Sequence, residues 1–132
     1  MNETMTIREM CDAFDVTPRT LRFYESKELL SPIRQGQKRL FTRRDRARLK
    51  LILRGKRFGF SLEEIRQLLD LYHVDTTRET QLRHAVEIGQ KHLDEMVQQQ
   101  KALEEAIVDL REQLTNGQAQ IAAFDAAKQA AE

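Results

Sequence analysis

From Leu82 to Leu114 the chain repeats a step of four and then three residues, through Leu82, Val86, Gly89, Leu93, Met96, Gln100, Leu103, Ile107, Leu110 and Leu114. This is a heptad seam, and only Gly89 and Gln100 in it are not apolar. One helix over this stretch is on the order of 50 Å long, too long to hide its stripe against a preceding domain of ~70 residues. The seam therefore predicts pairing with the same helix of a second copy; the rival arrangement is a lone amphipathic helix packed back within the monomer. A buried amide at Gln100 would fix register at some cost in stability.

Charge divides the chain at about the same place. Residues 1–72 hold 16 Lys/Arg against 10 Asp/Glu, whereas residues 73–132 hold 6 against 11, although the whole chain carries only +1. The basic half is concentrated between Arg34 and Arg57, where eleven basic residues accompany one acid, Asp45. Such a run repels itself unless it is a solvated face or is matched by phosphate. Phosphate neutralisation would supply non-specific affinity that falls steeply with salt.

What precedes the run favours phosphate. Thr6-Ile7-Arg8-Glu9 has the form of a capping box, and Ile7, Met10, Cys11 and Phe14 recur on one helical face. After Asp15 and Val16, Thr17 can cap a second helix, and Pro18 suits its first turn, where a missing N–H costs nothing. Helical spacing turns Leu21 inward and Arg19, Thr20 and Arg22 outward, offering guanidinium forks and a hydroxyl to base edges or phosphates. Two short helices joined by a tight turn form either a bland scaffold or a helix-turn-helix whose first helix braces the second.

The remaining punctuation is local. Leu29-Leu30-Ser31-Pro32 stops the second helical region, and the glycine-marked stretch Arg34 to Phe41 is polar enough to form a small β-wing. Thr42 with Asp45 caps a third helix with Leu49, Ile52 and Leu53 inward, which breaks near Gly59. Ser61-Leu62-Glu63-Glu64 begins a fourth, with Ile65, Leu68, Leu69 and Tyr72 as its stripe. Asn116-Gly117 marks an expected end of the long helix, leaving 116–132 as a short helix or frayed tail.

The phrase Thr17-Pro-Arg-Thr-Leu-Arg-Phe-Tyr-Glu25 is followed by Leu29-Leu30, by Asp45-x-x-Arg48-Leu49 and by Gly59-Phe60-Ser61-Leu62-x-Glu64-Ile65. In order and spacing over residues 5 to 72 it resembles the MerR family of bacterial transcription regulators. The resemblance implies a mainly α fold: a winged helix-turn-helix DNA-binding domain over residues 1–75, a dimerisation helix forming an antiparallel coiled coil over 76–115, and the short segment 116–132. Carried over by position, it implies that Thr17, Arg19, Thr20 and Arg22 face the major groove and that Tyr24 touches the backbone. Arg39 and Phe41 would sit in the wing with Arg34 and Lys38, and Lys56 would make a further backbone contact where the family usually has arginine. The implied partners are double-stranded promoter DNA, a second copy of the chain as homodimer, and RNA polymerase at the promoter. The dimer would hold a pseudo-palindromic operator between widely spaced promoter elements and distort it to control transcription.

The wing departs from the family pattern Gly-Tyr-Arg-x-Tyr. This chain reads Gln37-Lys38-Arg39-Leu40-Phe41, with its glycine earlier at Gly36. Both tyrosine hydroxyls are missing; Lys38 replaces one with a charge, and Phe41, which cannot donate a hydrogen bond, is expected to pack.

The remaining residue types point away from other chemistries. Metal-responsive MerR proteins place cysteines near the start of the dimer helix and in the loop after it, but His73 to Gln81 and Thr115 to Gln120 contain none. Cys11 is the sole thiol, on an inward face, and His73, His84 and His92 lack ligand spacing. No cofactor, metal or catalytic set is expected, and therefore no enzyme. No signal peptide, membrane span or cysteine pair is seen, so the expected compartment is the cytoplasm, with no membrane partner. The stretch Leu49 to Phe60 and the glutamine-containing wing are most similar to short proteobacterial regulators of branched-chain amino-acid or acyl-CoA breakdown, but neither fixes a small-molecule effector. Two other functions fit the same residues: an architectural DNA-bending protein or recombination accessory without effector, and a coiled-coil adaptor whose basic half binds an acidic partner.

Overall fold

The computed structural model describes residues 3–71 and 78–131. Its elements are α1 (Ile7–Phe14), α2 (Pro18–Ser26), β1 (Ile33–Gln35), β2 (Lys38–Leu40), α3 (Arg43–Arg57), α4 (Leu62–Asp70) and α5 (Arg78–Ala131). The chain is thus mainly helical, with a helix-turn-helix, a two-stranded wing and a long C-terminal helix. By contacts it divides into two compact units, residues 1–89 and 90–132, described separately below.

Helices α1 to α4 each start where a hydroxyl meets an orphan amide. Thr6, Thr42 and Ser61 close capping boxes with Glu9, Asp45 and Glu64, and the Thr17 side chain accepts from the Thr20 N–H with Pro18 just inside α2. Asp15 ends α1 with φ of 53°, a left-handed conformation that aspartate tolerates better than most residues, and this allows the short turn into α2. Strands β1 and β2 pair antiparallel, Ile33 with Leu40 and Gln35 with Lys38, around a two-residue turn. Its first residue is Gly36 at φ 62°, which a side chain would strain. The wing is pinned at its exit, where Met5 and Phe41 exchange backbone hydrogen bonds of 2.9 and 2.8 Å.

One core holds these pieces together. Met10 of α1, Leu21 and Tyr24 of α2, Leu29 and Leu30 after it, Phe41 after the wing, Leu49 and Ile52 of α3, and Ile65 and Leu69 of α4 are all buried. Burying each such side chain is worth about 1.5–3 kcal/mol before conformational entropy is set against it. Helices α3 and α4 cross at Gly55: a Cβ there would lie 2.8 Å from Cγ1 of Ile65, closer than real contacts allow. Of the expected α4 stripe, Ile65 and Leu69 are buried and Leu68 half-buried, while Tyr72 lies outside the described residues.

The second unit is helix alone. Helix α5 runs from Arg78 to Ala131 without the expected break at Asn116-Gly117. A single interior glycine costs only about 1 kcal/mol relative to alanine, and the alanines and glutamines that follow are good helix formers. The seam spacing consequently extends past Leu114 through Gly117, Ile121 and Phe124, and the last two are 60% and 67% exposed.

Candidate nucleic-acid interface

Helix α2 is anchored through Leu21 and Tyr24, which are buried, and this fixes what it turns outward. Arg19 and Arg22 are exposed, and Thr20 is half-buried between them. The Thr17 and Thr20 hydroxyls lie 2.9 Å apart, so both are tied to the helix start as well as facing out. Phe23, which the sequence reading did not single out, is 43% exposed with the Lys27 ammonium 5.7 Å from its ring centroid.

Tyr24, expected to touch the DNA backbone, lies in the core instead, and Phe41, placed in the wing and expected to pack, is buried with it. Tyr24 is 2% exposed and Phe41 is fully buried. Burial also pushes the Tyr24 phenol upward from its ordinary pKa, which keeps it neutral. Tyr24 faces inward because the helical turn that aims Arg19 and Arg22 outward carries positions 21 and 24 to the opposite side. Phe41 sits where the wing strand enters the core beside Met5, and it packs, as its missing hydroxyl implies.

The wing is fastened to α2 by one carboxylate. Glu25 pairs with Arg39 and, at 3.3 Å, with Arg34, so both wing arginines are shared with a neighbour on the adjacent helix. Arg39 keeps 23% of its side-chain exposure and Arg34 keeps 50%, so Arg34 retains the freer guanidinium. Lys38 is exposed beside the wing turn. Lys56 is exposed in the last turn of α3, close to the turn into α4.

Asp45, the single acid of the basic run, is a structural hub. It is 2% exposed, and its carboxylate accepts from the Ser31 N–H (2.9 Å), the Thr42 N–H (3.0 Å) and the Thr42 hydroxyl (3.1 Å). Beside it the Arg48 Nε donates to the Leu29 carbonyl at 2.7 Å, and the Arg66 guanidinium donates to the Lys27 carbonyl at 2.6 Å. These side chains satisfy the backbone that leaves α2, where Glu28 adopts a φ of 61°. A lone acid among eleven bases was the sequence signal for this role. The reach of Arg48 and Arg66 back to that backbone had none. On the outward side of α3, Arg43, Lys50 and Arg54 are exposed and extend the cationic surface.

The seam residues are open along α5. Leu82, Val86, Leu93, Met96, Leu103, Ile107, Leu110 and Leu114 are between 37% and 63% exposed, and Gln100 is exposed among them. His84 and His92 face Glu87 and Glu95 one turn on, at 3.9 and 3.7 Å, while His73 lies outside the described residues. Among the described residues no three His, Cys, Asp or Glu side chains gather as a metal-holding group, and no helix is long and apolar enough to cross a membrane. The Cys11 thiol is half-buried; desolvation, reinforced by Asp12, raises its pKa and keeps it a poor nucleophile.

Comparison with known proteins accounts for this arrangement. Residues 5–71 match the MerR HTH family regulatory proteins, and residues 46–116 match the MerR DNA-binding family. The HTH-type transcriptional regulator ZntR of Escherichia coli K12 is 42% identical over 67 residues, covering 49% of this chain and 48% of ZntR. The transcriptional activator mta of Bacillus subtilis is 35% identical over 97 residues, 70% of this chain and 37% of mta. The chain thus spans about half the length of the first curated relatives it matches, at 48%. Among solved structures, a MerR-family transcriptional regulator from Bacillus cereus superposes with a TM-score of 0.65 at 28% identity, covering 83% of this chain and 79% of that one. HiNmlR, a MerR family regulator lacking the sensor domain and bound to promoter DNA, gives 0.62 at 25% identity, over 78% of this chain and 80% of that one. Two family matches in register with the helix-turn-helix, wing and long helix lead to one conclusion: the chain belongs to the MerR family of HTH regulatory proteins.

Proposed function

We propose that this chain is a transcription regulator that binds a pseudo-palindromic promoter operator as a homodimer and distorts the DNA so that RNA polymerase engages it differently. The observation that carries the proposal is the outward pair Arg19 and Arg22 on a core-anchored α2, beside a wing held to the same helix by Glu25. Arginine forks on an exposed helix reading the major groove give base specificity, while Lys38, Arg34 and Lys56 contact phosphate and set position. Residues 1–75 grip DNA and 76–115 dimerise, with the exposed heptad seam as the second copy's docking face. The promoter-bound HiNmlR supports the DNA partner. The working compartment is the cytoplasm, where a bacterial regulator meets its promoters.

Bending a site of this size costs about 1–6 kcal/mol, so a signal of modest energy suffices to switch the promoter. The test is sequencing of genomic fragments retained by the purified protein at physiological salt, repeated with Arg22→Ala. A palindrome inside long-spaced promoters is expected, with Arg22→Ala weakening its binding by about 1–3 kcal/mol at unchanged melting temperature. Retention that follows bendability alone, without a palindrome, would move the assignment to an architectural protein.

A further inference from the structure

Three large apolar side chains stand exposed among the described residues 3–71, and all three lie on elements that the proposed function turns toward DNA: Phe23 on α2, Ile33 in the wing and Phe58 at the end of α3. A single exposed apolar residue is ordinary. Phe23 differs in its company. It stands four residues after Arg19 and one after Arg22, so helical period puts all three on the side of α2 away from the buried Leu21 and Tyr24. Phe23 is 43% exposed, and its ring rests against two neighbours: the Tyr24 ring centroid lies 5.8 Å from its own, and the Lys27 ammonium lies 5.7 Å from it. The hydroxyl of Ser26, next along this face, donates to the Phe23 carbonyl at 2.6 Å and is taken up within the helix. The face therefore offers two guanidinium forks with a supported apolar ring beside them.

What such a ring can read in a duplex is narrow. A phenyl group has no hydrogen bond to give, so it gains nothing specific from phosphate or from the polar atoms of a base edge. The faces of the bases are stacked and out of reach while the duplex is intact. In the major groove the apolar group on a base edge is the C5-methyl of thymine, and phenylalanine is among the side chains that contact it. We propose that Phe23 is a specificity-determining residue, packing its ring on the C5-methyl group of one thymine in each operator half-site. Arg19 and Arg22 then select by hydrogen bonds, and Phe23 selects by the presence of a methyl group. This inference rests on the regulatory reading above.

The test takes the palindrome retained by the full chain and replaces its thymines in turn, in both half-sites together, with deoxyuridine, which keeps the base pair and lacks only the methyl group. At one position in the half-site the unaltered protein is expected to bind the uracil duplex more weakly, by about four-fold for each half-site, the value of one buried methyl-sized group. Phe23→Ala is expected to bind the thymine and uracil duplexes equally at that position. Each comparison is a ratio within one protein, so a general loss of affinity or stability in the variant does not imitate it. Binding that ignores uracil at every position, or a thymine preference that survives Phe23→Ala, would overturn the proposal and leave operator recognition standing. Failure to retain any palindrome would instead remove the regulatory reading, and this inference with it.

Discussion

Residues 3–71 close their apolar side chains upon one another, whereas residues 90–131 hold theirs out along a single helix. The compositions are less different than the outcomes. Leu21, Leu49 and Leu69 are buried, while Leu93, Leu103 and Leu110 are more than half exposed. What separates them is the source of the second surface. The first region obtains it from its own chain, as when Ser31 reaches Asp45 or Arg66 reaches the Lys27 carbonyl. Beyond Gly89 the apolar stripe lies exposed along one helix, and under the proposed homodimer a second copy supplies its missing surface. The stability of the helix should then depend on protein concentration in a way that the first region's does not.

The sharpest way to break this contrast is to put a charge in the seam. Ile107→Asp would bury an unpaired carboxylate at a paired interface, at a cost of about 3–5 kcal/mol. Sedimentation should then show a monomer, with lower helix content and greatly weakened operator binding. A dimer of unchanged melting temperature would mean that the seam is not the interface. Next in size is Asp45→Ala, which removes the acceptor shared by Ser31 and Thr42. Losing one buried acceptor strands donors worth about 1–3 kcal/mol, so urea unfolding of the first region should shift while the dimer's dissociation constant holds.

The smallest effect concerns the cap of α1. The Glu9 carboxylate is held below its ordinary pKa by hydrogen bonds from Thr6, chiefly from its backbone N–H. A depressed folded-state value means that the contribution is present above the ordinary carboxylate range and is lost as pH falls through the folded-state value. The protection of α1 amides against exchange, taken relative to the intrinsic rate at each pH, should therefore fall as the solution is acidified below about 4.5, the usual value for the group. Glu9→Gln, which keeps a capping acceptor without a charge, should flatten that dependence. Identical acid profiles for the two proteins would show that the cap contributes nothing through its ionisation.

Features legible in the sequence were those decided within a few residues. Thr6, Thr17, Thr42 and Ser61 announce helix starts because a cap involves a hydroxyl and an amide three positions on. The outward placement of Arg19 and Arg22 follows from helical period once Leu21 is inside. The fate of Tyr24 and Phe41 was less legible, since an aromatic side chain at such a position can face DNA or the core, and only the packing of α1, α3 and the wing decides. Glu25 was equally silent: nothing local joins it to arginines nine and fourteen residues later. Asn116-Gly117 failed in the other direction, because a local stop signal was outweighed by the helix formers on either side.

The shared grip of Glu25 on Arg34 and Arg39 has a mechanical meaning. With the wing latched to α2 and pinned again at Met5 and Phe41, the two surfaces that would meet a duplex under the proposed function are held like the jaws of a caliper. Under that proposal a duplex whose groove and backbone do not match the gap would twist or bend until they did, the elastic work would fall on the DNA, and sequences that deform easily would be preferred.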